Sequence, residues 1–133
     1  FELPKYQTEG SVGMDLSAFI ENDILIKPNE RELIPTGIAV SLPQNIEGQV
    51  RPRSGLSLKY GITVLNSPGT IDSDYRGEIK VILINHGNED FIIKNNDRIA
   101  QLVFNEVVTV SFKEVKDLDQ TSRNQKGFGS TGK

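Results

Sequence analysis

The chain has 133 residues, enough for one domain to bury a hydrophobic core without help from disulfides. It contains no cysteine, which excludes disulfide bonds and thiolate metal sites and is typical of a reducing compartment, so we expect a cytoplasmic protein. Fifteen basic against 18 acidic residues give a net charge of −3, and no apolar run is long enough to cross a bilayer, so we expect a small-molecule partner, no nucleic acid and no membrane.

Turn residues punctuate the sequence at intervals of about eight to twelve positions, which is typical of an all-β sandwich or barrel. In residues 12–20, apolar side chains occupy every second position, which predicts a half-buried strand. Further strands are predicted over residues 24–26, 38–42, 46–50, 62–65, 79–84, 91–93, 99–104 and 107–112. The sequence therefore predicts an all-β fold.

One short helix is predicted over residues 54–60. Ser54 is expected to cap its N-terminus and Gly61 to end it. No other segment sustains a helical period over about ten residues with suitable caps.

The loop over residues 68–77 (PGTIDSDYRG) is the most informative segment. A turn needs the glycine, proline and aspartate found here, but it does not need Tyr75 and Arg76 beside Asp72. In isolation, the pair of aspartates also fits a solvated hairpin tip. The additional aromatic and basic side chains favour a functional site.

Other polar side chains stand where the predicted elements do not require them. Asp15 lies in a predicted strand, which disfavours aspartate, so it either decorates the surface or serves a site. Arg53, Ser54 and Gly55 surround the predicted helix start, where backbone amides favour anions, although solvated arginines beside an ordinary capped helix also fit. Gln101 is out of register with the apolar residues of its strand and faces either a pocket or water.

Residues 113–133 carry too few large apolar side chains to anchor them onto a core. Phe128 stands alone among glycines, with Arg123 before it and Ser130 and Thr131 after it. Glycine amides, hydroxyls and a guanidinium can cradle a phosphate, and a ring on a flexible arm can stack on a base. The alternative is a frayed chain end, which is common at termini.

Taken in order, these segments resemble the five motifs of the trimeric dUTPase (dUTP diphosphatase) family. Residues 13–18 are similar to A-G-x-D-L-x-A without its first alanine, residues 52–56 to P-R-S-G-L, and residues 66–77 to N-x-x-G-x-I-D-x-D-Y-R-G. Residues 97–102 are similar to G-D-R-I-A-Q-L after its first glycine, and residues 123–132 to R-G-x-G-G-F-G-S-T-G. The resemblance covers nearly the whole chain.

The sequence departs from these motifs at a few positions. Val12 replaces an alanine, and Asn96, Asn124 and Lys126 replace glycines. Asparagine is the residue that best tolerates positive φ after glycine, so the change at Asn96 is mild.

The resemblance implies a jelly-roll-like β-barrel or sandwich over residues 1–112 and a flexible arm over residues 113–133 that closes over the site. It implies a homotrimer with active sites shared between subunits. The implied reaction converts dUTP and water into dUMP and pyrophosphate, with Mg²⁺ as cofactor, and the dUMP supplies thymidylate synthesis. Asp72 would activate the water that attacks the α-phosphorus, with Gln101 as a second catalytic residue. Asp15 would hold the Mg²⁺ through water.

The resemblance also assigns substrate contacts. Arg53, Ser54, Gly55 and Gln101 would bind phosphates. From the arm, Phe128 would stack on the base, and the remaining contacts would close over the γ-phosphate: Arg123, Gly129, Ser130 and Thr131.

A hairpin with arms over residues 62–66 and 78–84 would select the base. Its backbone would read the uracil edge and exclude the methyl group of thymine, and the ring of Tyr75 would leave no room for a 2′-hydroxyl. The residues expected around the nucleoside are Asn66, Gly69, Thr70, Ile71, Asp72, Tyr75 and Lys80.

Two alternative functions are compatible with parts of the sequence. A deoxycytidine triphosphate deaminase shares the fold and needs a carboxylate facing the base, for which Glu78 is the candidate. The similarity of the tail to the fifth motif disfavours it. A non-catalytic nucleotide-binding module is disfavoured because both Asp72 and Gln101 are present.

Overall fold

A computed structural model describes residues 2–130 of the chain. Within this part, the chain forms one short helix and nine strands. The elements in chain order are β1 (Gly13–Ser17), β2 (Ile24–Ile26), β3 (Arg31–Ile38), β4 (Ile46–Arg51), α1 (Ser54–Tyr60), β5 (Ile62–Val64), β6 (Gly69–Ile71), β7 (Ile79–Asn85), β8 (Phe91–Ile93) and β9 (Arg98–Glu106).

The strands form antiparallel sheets, which confirms the all-β prediction. A four-stranded sheet has the order β1-β9-β4-β6, a three-stranded sheet has the order β3-β7-β5, and β2 pairs with β8. None of these sheets closes into a barrel within residues 2–130. No helix in this part of the chain is long and apolar enough to span a membrane.

One hydrophobic core joins the sheets. Strand β7 shows the alternation that builds it, because Ile79, Val81 and Leu83 are buried while the side chains between them are at least partly accessible. Leu16, from β1, and Leu102, from β9, belong to the same cluster. Burying one large aliphatic side chain contributes about 1.5–3 kcal/mol to the stability of the fold. This cluster therefore holds in place the strands that the loops connect.

The third strand lies earlier than the sequence predicts. The prediction of a strand over residues 38–42 is wrong, because β3 runs from Arg31 to Ile38. Pro35 and Gly37 argue against a strand, but the register with β7 shifts between Pro35 and Ile38, and Gly37 has a φ of 69°. This irregularity accommodates both residues. The first strand is also shorter than predicted, ending at Ser17 instead of residue 20.

The predicted strand over residues 107–112 is absent. Strand β9 ends at Glu106, and Val107 then donates its amide to Asn45 O over 3.0 Å. Val108, Val110 and Phe112 are 88%, 69% and 99% exposed. Their alternation is typical of a strand, but no strand within residues 2–130 pairs with them.

Helix α1 has the predicted bounds but a different N-terminus. Arg53 is the N-cap residue, with φ −95° and ψ 125°, and no side chain caps the helix there, so the prediction for Ser54 is wrong. Ser54 is instead the first helical residue. Gly61 ends the helix as predicted, in the left-handed conformation with φ 69°.

Candidate active site

The hairpin predicted around the aspartate-rich loop is present. Strand β5 pairs with β7, and Val64 lies opposite Leu83. The loop between them is not the single tight turn that the sequence predicts, because β6 forms within it. Gly69 of β6 pairs with Val50 of β4, in the four-stranded sheet. The loop therefore connects the two larger sheets.

A cleft of about 320 Å³ opens between this loop and β7. Its volume is within the range of small-ligand sites. All the residues predicted to surround a nucleoside line it, together with Glu78 and apolar residues of neighbouring strands. The predicted residues are Asn66, Gly69, Thr70, Ile71, Asp72, Tyr75 and Lys80.

Asp72 lies on the rim of this cleft. It is exposed, and it also borders a second open depression together with Glu47 and Arg76. Its backbone carbonyl accepts the amide of Tyr75 over 3.1 Å, which fixes the turn that carries it. No side chain within residues 2–130 pairs with the Asp72 carboxylate, so it is available to a water molecule or a ligand.

Neighbouring side chains hold the loop in shape. Arg76 Nη1 donates to the carbonyl oxygens of Ser73, at 2.7 Å, and Tyr75, at 3.1 Å. Glu78 Oε1 accepts the amide of Gly37 over 2.8 Å, and Oε2 lies 3.6 Å from Lys80 Nζ. Both oxygens of the carboxylate that a deaminase would need are therefore engaged in contacts that tie the loop to β3 and β7.

A second cluster of polar residues forms around Asp15. Its carboxylate accepts Arg53 Nε at 3.1 Å through Oδ1 and Arg98 Nη1 at 3.2 Å through Oδ2. Arg53 Nη1 also donates to the Arg98 carbonyl at 3.0 Å. The Asp15 side chain is only 20% exposed, so its position in the strand is explained by these two guanidinium partners.

Gln101 lies beside the Asp15 cluster, on β9 between β1 and β4. Strand pairing places it opposite Asp15 on one side and Arg51 on the other. Its Nε2 donates to the Pro52 carbonyl at 3.0 Å, and a β-carbon at position 13 would overlap with its Oε1, so Gly13 leaves the space it occupies. Gln101 is partly buried and borders a shallow, open depression with Pro68 of the hairpin loop.

The residues around Asp15 fit a magnesium ion that is bound mainly by its substrate. Within residues 2–130 no three His, Cys, Asp or Glu side chains cluster as ligands for a metal. Mg²⁺ commonly keeps several waters and takes only one or two carboxylates in addition to substrate phosphates. Each oxygen of Asp15 accepts one hydrogen bond from a guanidinium and has a further lone pair for a metal-bound water.

The arm residues that the structure describes line neither the cleft around Asp72 nor the Asp15 cluster. Phe128 is fully exposed, and Arg123 Nε donates locally to the Lys126 carbonyl at 2.9 Å. Ser130 donates its amide to Gly127 O over 3.1 Å, and Gly129 has a φ of 83°. Thr131 lies outside the described residues.

The two asparagines that stand where the resembled motifs have glycine adopt the left-handed conformation that glycine favours. Asn96 has a φ of 68° and Asn124 a φ of 45°. At Asn96 this is the conformation that asparagine tolerates best after glycine, in line with the mild effect expected of the change.

Ser54 and Gly55 occupy the first turn of α1 and are exposed. Because they follow Arg53 directly, these two exposed residues lie beside the Asp15 cluster. Sequence reasoning missed Arg98 as a member of this cluster. Arg98 comes close to Asp15 only when β1 pairs with β9, which puts Arg98 opposite Ser17, and neither strand shows this pairing in its own sequence.

Compared with models of protein families, residues 1–132 match the family described as dUTPase. The chain belongs to the dUTPase family. The deoxyuridine 5'-triphosphate nucleotidohydrolase of Fusobacterium nucleatum is 57% identical over 132 residues, which cover 99% of this chain and 90% of that relative. The enzyme of the same name from Rickettsia canadensis is 61% identical over 130 residues, covering 98% and 88%.

Solved dUTPase structures share its jelly-roll fold, which confirms the predicted architecture. The dUTPase of Staphylococcus bacteriophage 80alpha with dUPNHPP aligns with a TM-score of 0.89 and 25% identity, covering 98% of this chain and 92% of that one. A mutant dUTPase from phage phi11 of S. aureus, described with a structural Mg(II) ion, aligns with a TM-score of 0.78 and 22% identity, covering 87% and 90%.

Proposed function

We propose that Asp72 activates the water that attacks the α-phosphorus of dUTP and so releases dUMP and pyrophosphate. The observation that carries this proposal is the exposed Asp72 carboxylate on the rim of a cleft with the volume of a small-ligand site. A carboxylate at this position can accept a proton from a water while the nucleoside fills the cleft. The dUMP would supply thymidylate synthesis, and a cytoplasmic location stays a prediction.

The hairpin would select the nucleoside. Strands β5 and β7 provide a fixed backbone that can pair with the edge of uracil, and Asn66 and Lys80 lie in the lining of the same cleft. The narrow cleft would exclude the thymine methyl group. The ring of Tyr75 would lie against the sugar and leave no space for a 2′-hydroxyl.

The cluster around Asp15 would bind the phosphates. Arg53, Ser54, Gly55 and Gln101 present a guanidinium, a hydroxyl, backbone amides and a carboxamide, all of which can donate to phosphate oxygens. Asp15 would hold waters of Mg²⁺. When bound, this ion would neutralise charge that develops on the phosphates.

A homotrimer with shared sites is supported by two observations. The arm residues Arg123 and Phe128 contact neither the cleft around Asp72 nor the Asp15 cluster of their own chain. Val108, Val110 and Phe112 alternate along an exposed segment that finds no strand partner in residues 2–130. We propose that residues 113–133 close over a site built with other subunits and that Phe128, Gly129, Ser130 and Thr131 contact the nucleotide there.

The decisive experiment measures product formation from dUTP, dCTP, dTTP and UTP at equal concentration. The proposed function requires pyrophosphate from dUTP at a rate far above the other three. Ammonia from dCTP would identify a deaminase instead. Tight binding of dUTP without pyrophosphate would identify a non-catalytic module.

A further inference from the structure

The end of the aspartate-rich loop is fastened to the irregular part of β3. Thr36 Oγ1 donates to the Ile79 carbonyl over 2.6 Å, and this bond is buried. The next residue, Gly37, has a φ of 69° and donates its amide to Glu78 Oε1 over 2.8 Å. Two consecutive residues of β3 thus hold two consecutive residues of the loop end, one through a backbone carbonyl and one through a carboxylate.

The ring of Tyr75 rests on the segment held in this way. Its hydroxyl donates to the Glu78 carbonyl over 3.0 Å. A β-carbon at position 77 would overlap with the Tyr75 hydroxyl and lie 2.6 Å from Cζ. The ring therefore occupies the space that a side chain at position 77 would need. Any residue larger than glycine there must displace it.

We propose that Gly77 and Glu78 are positioning residues that set the preference for deoxyribose over ribose, an inference that rests on the proposed function. Excluding a single hydroxyl group requires a wall that does not yield, because a mobile ring would move aside for the larger sugar. Gly77 provides the space for the Tyr75 ring, and Glu78 fixes the backbone carbonyl that anchors its hydroxyl. Gly77 does not line the cleft, and Glu78, which does, acts here through its hold on Tyr75.

Glu78 fixes its backbone carbonyl mainly through Oε1, which accepts the Gly37 amide. The contact of Oε2 with Lys80 is 3.6 Å long, and the Lys80 side chain is 44% exposed, so its contribution is small. Glutamine retains an oxygen that can accept the Gly37 amide, whereas alanine does not. Glu78→Gln should therefore preserve the position of Tyr75, and Glu78→Ala should release it.

The test compares kcat/KM for dUTP and UTP in the wild type, Glu78→Ala, Glu78→Gln and Gly77→Ala. We expect the dUTP-to-UTP ratio to fall about tenfold or more in Glu78→Ala and Gly77→Ala, and to stay within about threefold of wild type in Glu78→Gln. Glu32→Ala, an exposed glutamate on the same β3, is the matched control and should keep the wild-type ratio.

A second measurement does not depend on activity. The aromatic ¹H–¹³C NMR signals of Tyr75 in the nucleotide-free protein should shift in Glu78→Ala and Gly77→Ala but not in Glu78→Gln. An unchanged ratio together with unshifted Tyr75 signals in folded Glu78→Ala would overturn the inference, even if Gly77→Ala fails to fold. A wild type without preference for dUTP would refute the proposed function, and the NMR comparison would still decide whether Glu78 holds the ring.

Discussion

Replacing Asp15 with alanine should weaken both the fold and the binding of the substrate phosphates. The carboxylate holds two guanidinium groups, Arg53 at 3.1 Å and Arg98 at 3.2 Å. Loss of this anchor leaves Arg53 without its anionic partner at the start of α1. The same substitution should therefore lower the free energy of unfolding and raise the KM for dUTP.

The magnitude follows from the exposure of the three side chains. Arg98 is 57% exposed, so its pair contributes at most about 1 kcal/mol. Arg53 is 28% exposed and Asp15 20%, so their charged hydrogen bond is screened less and contributes about 1.5–3 kcal/mol. We expect Asp15→Ala to cost about 1.5–4 kcal/mol of stability in total and to raise KM by about tenfold.

The assay is denaturant unfolding at a fixed protein concentration, alongside steady-state kinetics with dUTP. Unfolding measured with EDTA present reports the arginine contacts alone, separate from any role of Asp15 toward Mg²⁺. The control is Asp23→Ala, which changes an exposed aspartate outside the cleft and the Asp15 cluster and should behave as wild type. A stability within about 0.5 kcal/mol of wild type and an unchanged KM in Asp15→Ala would refute the reasoning.

Further predictions concern Gln101, the arm and the assembly. Gly13→Ala should displace the Gln101 side chain and lower kcat/KM for dUTP by about tenfold or more, with little change in melting temperature. Unchanged kinetics would contradict the role of Gln101 in binding phosphates and in catalysis. Truncation after residue 121 should abolish activity but leave the melting temperature nearly unchanged, because Phe128 is fully exposed, and an active truncated protein would contradict the arm's role. Phe128→Ala alone should lower kcat/KM by about 5- to 150-fold, the value of one stacked base. Light scattering should give about three times the chain mass of 14.8 kDa, and a fully active monomer would exclude shared sites.

The sequence predicts those elements whose signal is local. Strand β7 is predicted because its buried side chains alternate in the sequence itself, and the helix end is predicted because Gly61 has the required conformation. Strand β6 is missed because three residues among turn formers carry no periodic signal and become a strand only by pairing with β4. Strand β3 is missed because Pro35 and Gly37 contradict its pattern.

The candidate site divides in the same way. The cleft around Asp72 is predictable because its residues follow one another along one loop and the two strands beside it. The contact between Asp15 and Arg53 is not predictable, because the two residues are 38 positions apart and come together only through the order of the strands. The exposed apolar residues 107–112 show the reverse case, in which a strand pattern is present but no strand partner lies within residues 2–130.

The most direct test of the proposed mechanism is the turnover of Asp72→Asn measured as pyrophosphate release at saturating dUTP, together with its dissociation constant for a non-hydrolysable analogue. An amide keeps the shape of the side chain but cannot accept the proton of the attacking water. We predict that kcat falls by about 10²–10⁴-fold while the dissociation constant changes by less than about threefold. Asp74→Asn, the same change two positions along the loop, should keep near wild-type kcat. A kcat near wild type in Asp72→Asn would contradict the role of Asp72 as the base.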